Sequence, residues 1–326
     1  MITTMTYAQD KHRPEVHLEI KQWLATPVSG DRSGKWALFD GAIVGAVQTE
    51  RLCRQMRPQF VHNIFSGTEF SPYGTCAPHL VRLDDGVLAS NFVRDLIESS
   101  RQLPAIAFLD AVVSFERLRA QLIRLADIQT EDGLDLYCRF ADTRVTCGVV
   151  GVLDHAQRAT LLQDIGRWQV LNRRGVLETV LQGGDLIESN GEENESAPSK
   201  LVLSDMQFVA IMQGAEPDEI FQMLCDGAPD LVPDSDHSGF HRRIYLLTSA
   251  ARRCGLAALA DIYQFCVIAL ATNDNFFELP ALNNSWQEIR KNSASFPQIV
   301  ERWSDELWDA LGGDNSSENP TDGGIS

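Results

Sequence analysis

Apolar positions in the first 182 residues fall in short runs separated by stretches of helical period. Lys35-Trp36-Ala37-Leu38-Phe39-Asp40-Gly41 predicts a strand ending in a turn, Ala105–Leu109 a buried strand after Pro104, and Leu134–Phe140 an alternating one. Between the last two, Ser114 precedes Leu118, Leu122 and Leu125 at helical spacing, with Glu116 in the first turn. This predicts a capped helix in a β-α-β segment. Asp154 and Gln157 make a capping-box pattern ahead of Leu161, Leu162 and Ile165, with Gly166 placed to end that helix. Val145–Leu153 favours a strand by propensity, through its valines and Gly148 and Gly151, and stays open between strand and helix.

Residues 183–200 are rich in Gly, Ser, Glu and Asn, the profile of a solvated linker and hence of a domain boundary. Beyond it the period is helical throughout. Ser204 and Gln207 form a second capping-box pattern, and Pro217 suits the first turn of a short helix with Ile220, Phe221 and Leu224. Phe240, Ile244, Leu247 and Ala251 share a face that Gly255 closes, followed by Leu259, Ile262, Phe265 and Ala269 on the next helix. Pro297, Ile299, Trp303, Leu307 and Gly312 outline a last helix, and residues 313–326 read as a disordered tail. The expected organisation is an N-terminal extension (1–33) and an α/β N-terminal lobe (34–182) whose mixed sheet has flanking helices. A linker (183–200), an all-α C-terminal lobe (201–312) and the tail follow.

Length supports this division, since 326 residues exceed what one core usually spans. Charge sharpens it. The formal net charge is −17, yet residues 1–182 carry 21 acidic and 20 basic side chains, leaving 24 acidic and 8 basic after them. Some of that excess belongs to the linker and tail. Nucleic acid is excluded as an expected partner, because phosphate binding needs a basic footprint. An acidic C-terminal lobe instead suits a basic region of a protein partner. Seven cysteines without a C-x-x-C read as reduced thiols of a cytoplasmic protein. No secretory signal is visible in residues 1–13. The longest apolar run, Leu256–Thr272, is broken by Asp261 and Gln264, so a buried helix and no membrane span is expected.

Walker, G-x-G-x-x-G, H-E-x-x-H and G-x-S-x-G patterns are absent, so no catalytic residue, cofactor or metal is assigned. Asp234, Asp236, His237 and His241 come nearest to a metal set, but solvent-facing loop and helix-start residues are the preferred reading; the two aspartates remain candidates for partner binding. His62, His79 and His155 have no partner in sequence, and a structural role is the default for each. Arg139-Phe140-Ala141-Asp142-Thr143-Arg144 puts two arginines and a carboxylate at a strand exit. Asp142 suits a helix cap, Arg139 is close enough in sequence to be its neighbour if the chain turns, and a guanidinium fork suits that carboxylate or the backbone carbonyls of the turn. The cluster reads either as a structural ion pair or as an anchor, through Arg139 and Arg144, for a partner's acidic or C-terminal group.

In their order, these segments resemble the domain-of-unknown-function 4123 family of type VI secretion adaptor proteins, also called effector chaperones. Trp36–Gly41, with Asp40 and Gly41, is similar to the family's opening strand, and Ala77-Pro78-His79-Leu80-Val81 to its second motif. Ser114 with Leu118 and Leu122 matches a serine-led helix, and Arg139–Val145 resembles the family's arginine–aspartate signature. Gln157 and Trp168 fall at positions where the family usually has those residues. His79, Ala141 and Thr143 depart from the family's Tyr, Tyr and Pro, while Arg139, Asp142 and Arg144 are kept. The similarity spans about residues 34–175. It tips Val145–Leu153 towards a helix capped by Asp142.

The resemblance implies a bacterial cytoplasmic adaptor without catalysis. Such a protein binds a cognate secreted effector, keeps it soluble and assists its loading onto the VgrG spike protein. The alternative is a hydrolase or transferase with an unrecognised active site in the α/β lobe. A third reading, an effector in its own right, would need a toxic domain at one end, which neither end resembles.

Overall fold

The computed structural model describes residues 6–27, 34–84, 86–111, 113–162, 165–182 and 200–312. The chain divides into two compact units, residues 9–215 and residues 1–8 with 216–326.

In the first unit α1 (Glu15–Ala25) precedes β1 (Gly34–Asp40), α2 (Gly41–Val44), α3 (Ala46–Cys53), β2 (Val61–Asn63) and β3 (Pro78–Arg82). Then come α4 (Gly86–Ser99), β4 (Ile106–Ala111), α5 (Phe115–Ala126), β5 (Asp127–Thr130) and β6 (Asp135–Tyr137). The helices α6 (Thr143–Val152) and α7 (His155–Leu162) lead to β7 (Ile165–Leu171), β8 (Leu177–Gln182), β9 (Leu201–Leu203) and the start of α8 (Asp205–Gly227).

Six strands make one sheet in the order β2-β3-β1-β4-β7-β8, antiparallel at every pairing. β1 is buried along its whole length because both faces of the sheet are covered. Trp36 and Leu38 join one core with Leu118, Leu122 and Leu125 of α5 and Val149 and Val150 of α6. On the other face Phe39 meets Phe92 of α4, ring centroids 6.4 Å apart, and Phe108 meets Trp23 of α1 at 5.4 Å.

The expected α/β class holds, with corrections inside it. The strand after α5 does not return beside β4. β5 instead centres a three-stranded sheet, β6-β5-β9, in which β5 and β9 run parallel. The predicted Leu134–Phe140 strand shortens to Asp135–Tyr137, since Phe140 turns into the core. Val145 to Val152 lie in helix α6, with Leu153 as its C-cap, because the Asp142 cap and the burial of Val149 and Val150 outweigh the glycines. The Asp154–Gln157 box forms in both directions, but α7 ends at Leu162. Ile165 is a buried strand residue and Gly166 lies within β7.

The compact units divide inside α8 rather than within 183–200, of which only Lys200 is described. The reason is burial. Leu201 and Leu203 enter the α/β core and Ile211 packs on it, so the chain after residue 200 still belongs to that unit.

Residues 9–27, expected as an extension, are an integral part of the same unit. The amides of Asp10 and Arg13 donate to the carbonyls of Arg173 (2.8 Å) and Gly175 (2.8 Å), and that of His12 to Arg101 (2.9 Å). Trp23 Nε1 donates to Asp110 Oδ1 at 2.9 Å. Burial lowers the His12 imidazole from 6.5 to about 4. The folded chain therefore refuses a proton that the unfolded chain accepts between those values, so this stability is complete above pH 6.5 and is lost as the pH falls towards 4. From pH 7.5 to 5 the loss is about 2 kcal/mol, in a window where a lowered His79 acts in the same direction. Urea unfolding at the two pH values should show this slope, and His12→Gln should remove about that amount of it; an unchanged slope in the variant would contradict the assignment.

The second unit is helical. The C-terminal part of α8 is joined by α9 (His237–Cys254), α10 (Leu259–Ala271), α11 (Asn283–Arg290), α12 (Phe296–Val300) and α13 (Asp305–Gly312). Phe240, Ile244, Leu247 and Ala251 bury the predicted face of α9, and Gly255 ends it at φ 103°. They pack in one core with Ile262, Phe265 and Ala269 of α10 and with Phe276, Trp286 and Phe296. Pro217 lies inside the long α8 rather than opening a short helix. The last predicted helix is two, because the amide of Leu307 donates to the Ser304 hydroxyl (3.4 Å) and starts α13 afresh. Among the described residues no single helix is long and apolar enough to cross a membrane.

Candidate functional site

The similarity-bearing residues converge at the end of β1. Asp40 Oδ1 accepts from the amides of Ala42 (2.9 Å) and Ile43 (3.0 Å), capping α2 and so turning the chain at Gly41. The Gly41 amide donates to the Ala77 carbonyl at 3.2 Å. A methyl group on Gly41 would overlap the Thr75 carbonyl oxygen and stand 2.6 Å from that of Ala77, so only glycine allows this approach. Pro78, the first residue of β3, lies opposite Asp40 in the register. Next to it His79 stacks on Phe39, centroids 5.3 Å apart, and its Nδ1 lies 2.8 Å from the Ala77 carbonyl oxygen.

The second half of the site is the turn from β6 into α6. The Asp142 amide donates to the Arg139 carbonyl (2.9 Å), which closes the turn. Asp142 Oδ1 then accepts from the Arg144 amide at 3.1 Å as the α6 cap. Arg144 folds back onto the same carboxylate with Nε at 3.0 Å and Nη2 at 2.6 Å, a fork matched to the carboxylate plane. Asp142 is almost wholly buried there, its side chain 2% exposed.

The expected Arg139–Asp142 pair is therefore replaced. Arg144 takes Asp142, because the first turn of α6 brings the two side chains together. Arg139 crosses to Asp40, Nη2 to Oδ2 at 3.0 Å. Asp40 thus serves α2 with one oxygen and Arg139 with the other, which ties two distant signature segments together. Arg139 keeps 40% of its side chain exposed, whereas that of Asp40 is 5% exposed.

Beside this pair lies a surface the sequence did not announce. Phe65, Phe70, Tyr73 and Tyr137 form one aromatic group, with Tyr73 and Tyr137 stacked at 5.5 Å and 15°. Both tyrosines are exposed, by 48% and 40%, while Phe65 is fully buried and anchors them. Burial first, then the charge of Asp40 and the neighbouring Tyr73, pushes the Tyr137 hydroxyl up to about 12, so it stays a neutral hydrogen-bond donor. Tyr73 follows Pro72 in a one-turn helix and Tyr137 ends β6. Their separation in sequence and lack of shared period left no signal to find them by.

Asp234 and Asp236 belong to the helical unit. Asp236 caps α9 through the Gly239 amide (3.1 Å) in a left-handed conformation, φ 56°. Asp234 is exposed. His237 Nε2 lies 3.1 Å from the Pro233 carbonyl oxygen and His241 Nε2 lies 3.7 Å from Asp218, so the two histidines serve different neighbours. Among the described residues no group of three or more His, Cys, Asp or Glu side chains is placed to hold a metal ion. The seven cysteines are free, and burial pushes Cys138 and Cys266 up to about 12.

Residues 35–160 match the model of a family described as a domain of unknown function, DUF4123, a range that holds the two ion pairs and all four aromatic residues. No curated protein and no solved structure matches the chain.

Proposed function

We propose, for a chain whose residues 35–160 form a DUF4123 domain, that it is a bacterial cytoplasmic adaptor without a catalytic step. It binds a cognate type VI secretion effector, keeps it soluble and assists its loading onto the VgrG spike. The observation that carries this reading is the Tyr73–Tyr137 surface beside Arg139. Tyrosine and arginine dominate the energetics of protein interfaces, because they bring large area and directional hydrogen bonds at low entropic cost. Phe65 beneath and the Asp40 pair alongside hold them in place before a partner arrives, which reduces the ordering cost of binding. In this reading Arg139 offers its exposed edge to a partner's carboxylate or carbonyl, while Arg144 is committed to Asp142. Charge on the helical unit adds selection for a basic partner region. Asp234 suits that role better than Asp236, whose carboxylate caps α9.

Coexpression with the products of neighbouring reading frames of the native locus tests it. One otherwise insoluble product should be recovered in solution with the wild-type chain and lost with the Tyr73→Ala/Tyr137→Ala variant. If no product depends on the chain for solubility, the adaptor role is wrong.

A further inference from the structure

The two capping boxes build a second surface, on residues other than the tyrosines. Asp154–Gln157 starts α7 and Ser204–Gln207 starts α8, and the two glutamines meet. Gln207 Nε2 donates to Gln157 Oε1 at 2.7 Å and to the Val152 carbonyl at 2.8 Å. Gln157 Nε2 donates to the Val202 carbonyl at 2.8 Å. Each glutamine also accepts from the amide of its own cap residue, at 2.9 Å in both boxes. Their side-chain amides are therefore engaged on both sides, and the floor they make is fixed.

Gln157 and Val202 line two open grooves of about 330 and 530 Å³, which therefore adjoin as one trough-like surface along the edge strand β9. Its middle is apolar. Val202 is 44% exposed and Met206 83%, with Val209 and Met212 continuing the exposed apolar face of α8. Its ends differ in charge. Arg124 and Lys200 stand at one end, where Lys200 is held between Asp127 (2.9 Å) and Asp135 (3.0 Å). Arg124 has no hydrogen bond or ion pair among the described residues, and its Nε is buried without an acceptor. Glu131 and Asp154 line the other end, where Glu131 also receives the Asp205 amide at 3.3 Å. The nearby Arg158 has its guanidinium on the carbonyls of Gly151 and Leu153.

From this layout we propose that the trough is a docking site for an amphipathic segment of a protein partner. The segment carries a carboxylate for Arg124, large apolar side chains over Val202 and Met206, and a basic residue towards Glu131 and Asp154. An added strand does not suit β9, because Gln157 already holds the Val202 carbonyl; the contacts are made by side chains. Arg124 lines the groove with no ion pair among the described residues, and an incoming carboxylate supplies one to its guanidinium. The trough is lined by residues other than the tyrosines, so substitutions in each test each reading by itself.

Peptide phage display on the full-length chain, followed by fluorescence anisotropy of the best-enriched peptide, tests it. Enriched peptides should carry the acidic, apolar, basic order. Met206→Asp, on a side chain exposed enough to leave folding intact, should weaken the peptide at least about tenfold, and Val47→Asp, on an equally exposed side chain of α3, should not. Arg124→Glu should reverse the preference at that end, so that a peptide with lysine in place of its acidic residue binds it better than the original. Enrichment that ignores both substitutions, or the absence of any enriched peptide, would overturn the proposal.

Discussion

Asp142→Ala should destabilise the chain by about 3–5 kcal/mol, the usual cost of removing one partner from a buried ion pair. The substitution acts twice. It removes the cap that accepts from the Arg144 amide, and it strips the Arg144 fork of both carboxylate contacts. Helix α6 has little to fall back on, since four valines and Gly148 and Gly151 give ThrArgValThrCysGlyValValGlyVal poor intrinsic helicity. Its hold on the core through Val149 and Val150 therefore depends on a correct first turn. Asp142→Asn, which keeps a capping oxygen but not the charge, should lose less than the alanine variant. Urea unfolding of the three chains gives the order, and a loss below about 1 kcal/mol for Asp142→Ala would mean that α6 forms without its cap.

Gly41→Ala should be among the most damaging single methyl additions in the α/β unit. The new group meets the backbone carbonyls of Thr75 and Ala77, which are fixed by the Gly41–Ala77 hydrogen bond and by the pairing of β1 with β3. No side chain can swing aside to make room. Overpacking typically costs 1–3 kcal/mol, and against backbone at the hinge of two signature segments about 3 kcal/mol or more is expected. Gly148→Ala is the matched control, because it sits in mid-helix with open space around its missing Cβ and should stabilise by up to about 1 kcal/mol. Equal effects at the two glycines would show that close approach at Gly41 is not what demands glycine there.

These two sites show what the amino-acid sequence discloses and what it hides. Local patterns translate well. The apolar runs of β1 and β4, both capping boxes and the Gly255 end of α9 lie where the residues point, because each is decided within one turn or strand. Pairing between distant segments does not translate. Arg139 adjoins Asp142 in sequence yet bonds Asp40, and which arginine takes which carboxylate is settled only when α6 winds back over its own cap. The antiparallel order of the large sheet, the return of β9 beside β5 and the meeting of Gln157 with Gln207 are likewise long-range outcomes with no local period. Tyr73 and Tyr137 illustrate the same point for function. Each reads alone as an ordinary turn or strand residue, and only the fold makes them one surface.

The most direct test of the adaptor reading is the affinity of the partner recovered by coexpression, measured calorimetrically against the wild-type chain and the Tyr73→Ala/Tyr137→Ala variant. Loss of the stacked tyrosines should weaken binding at least tenfold, about 1.4 kcal/mol, while unfolding stays cooperative. An affinity equal to that of the wild type would contradict the claim that this surface holds the partner.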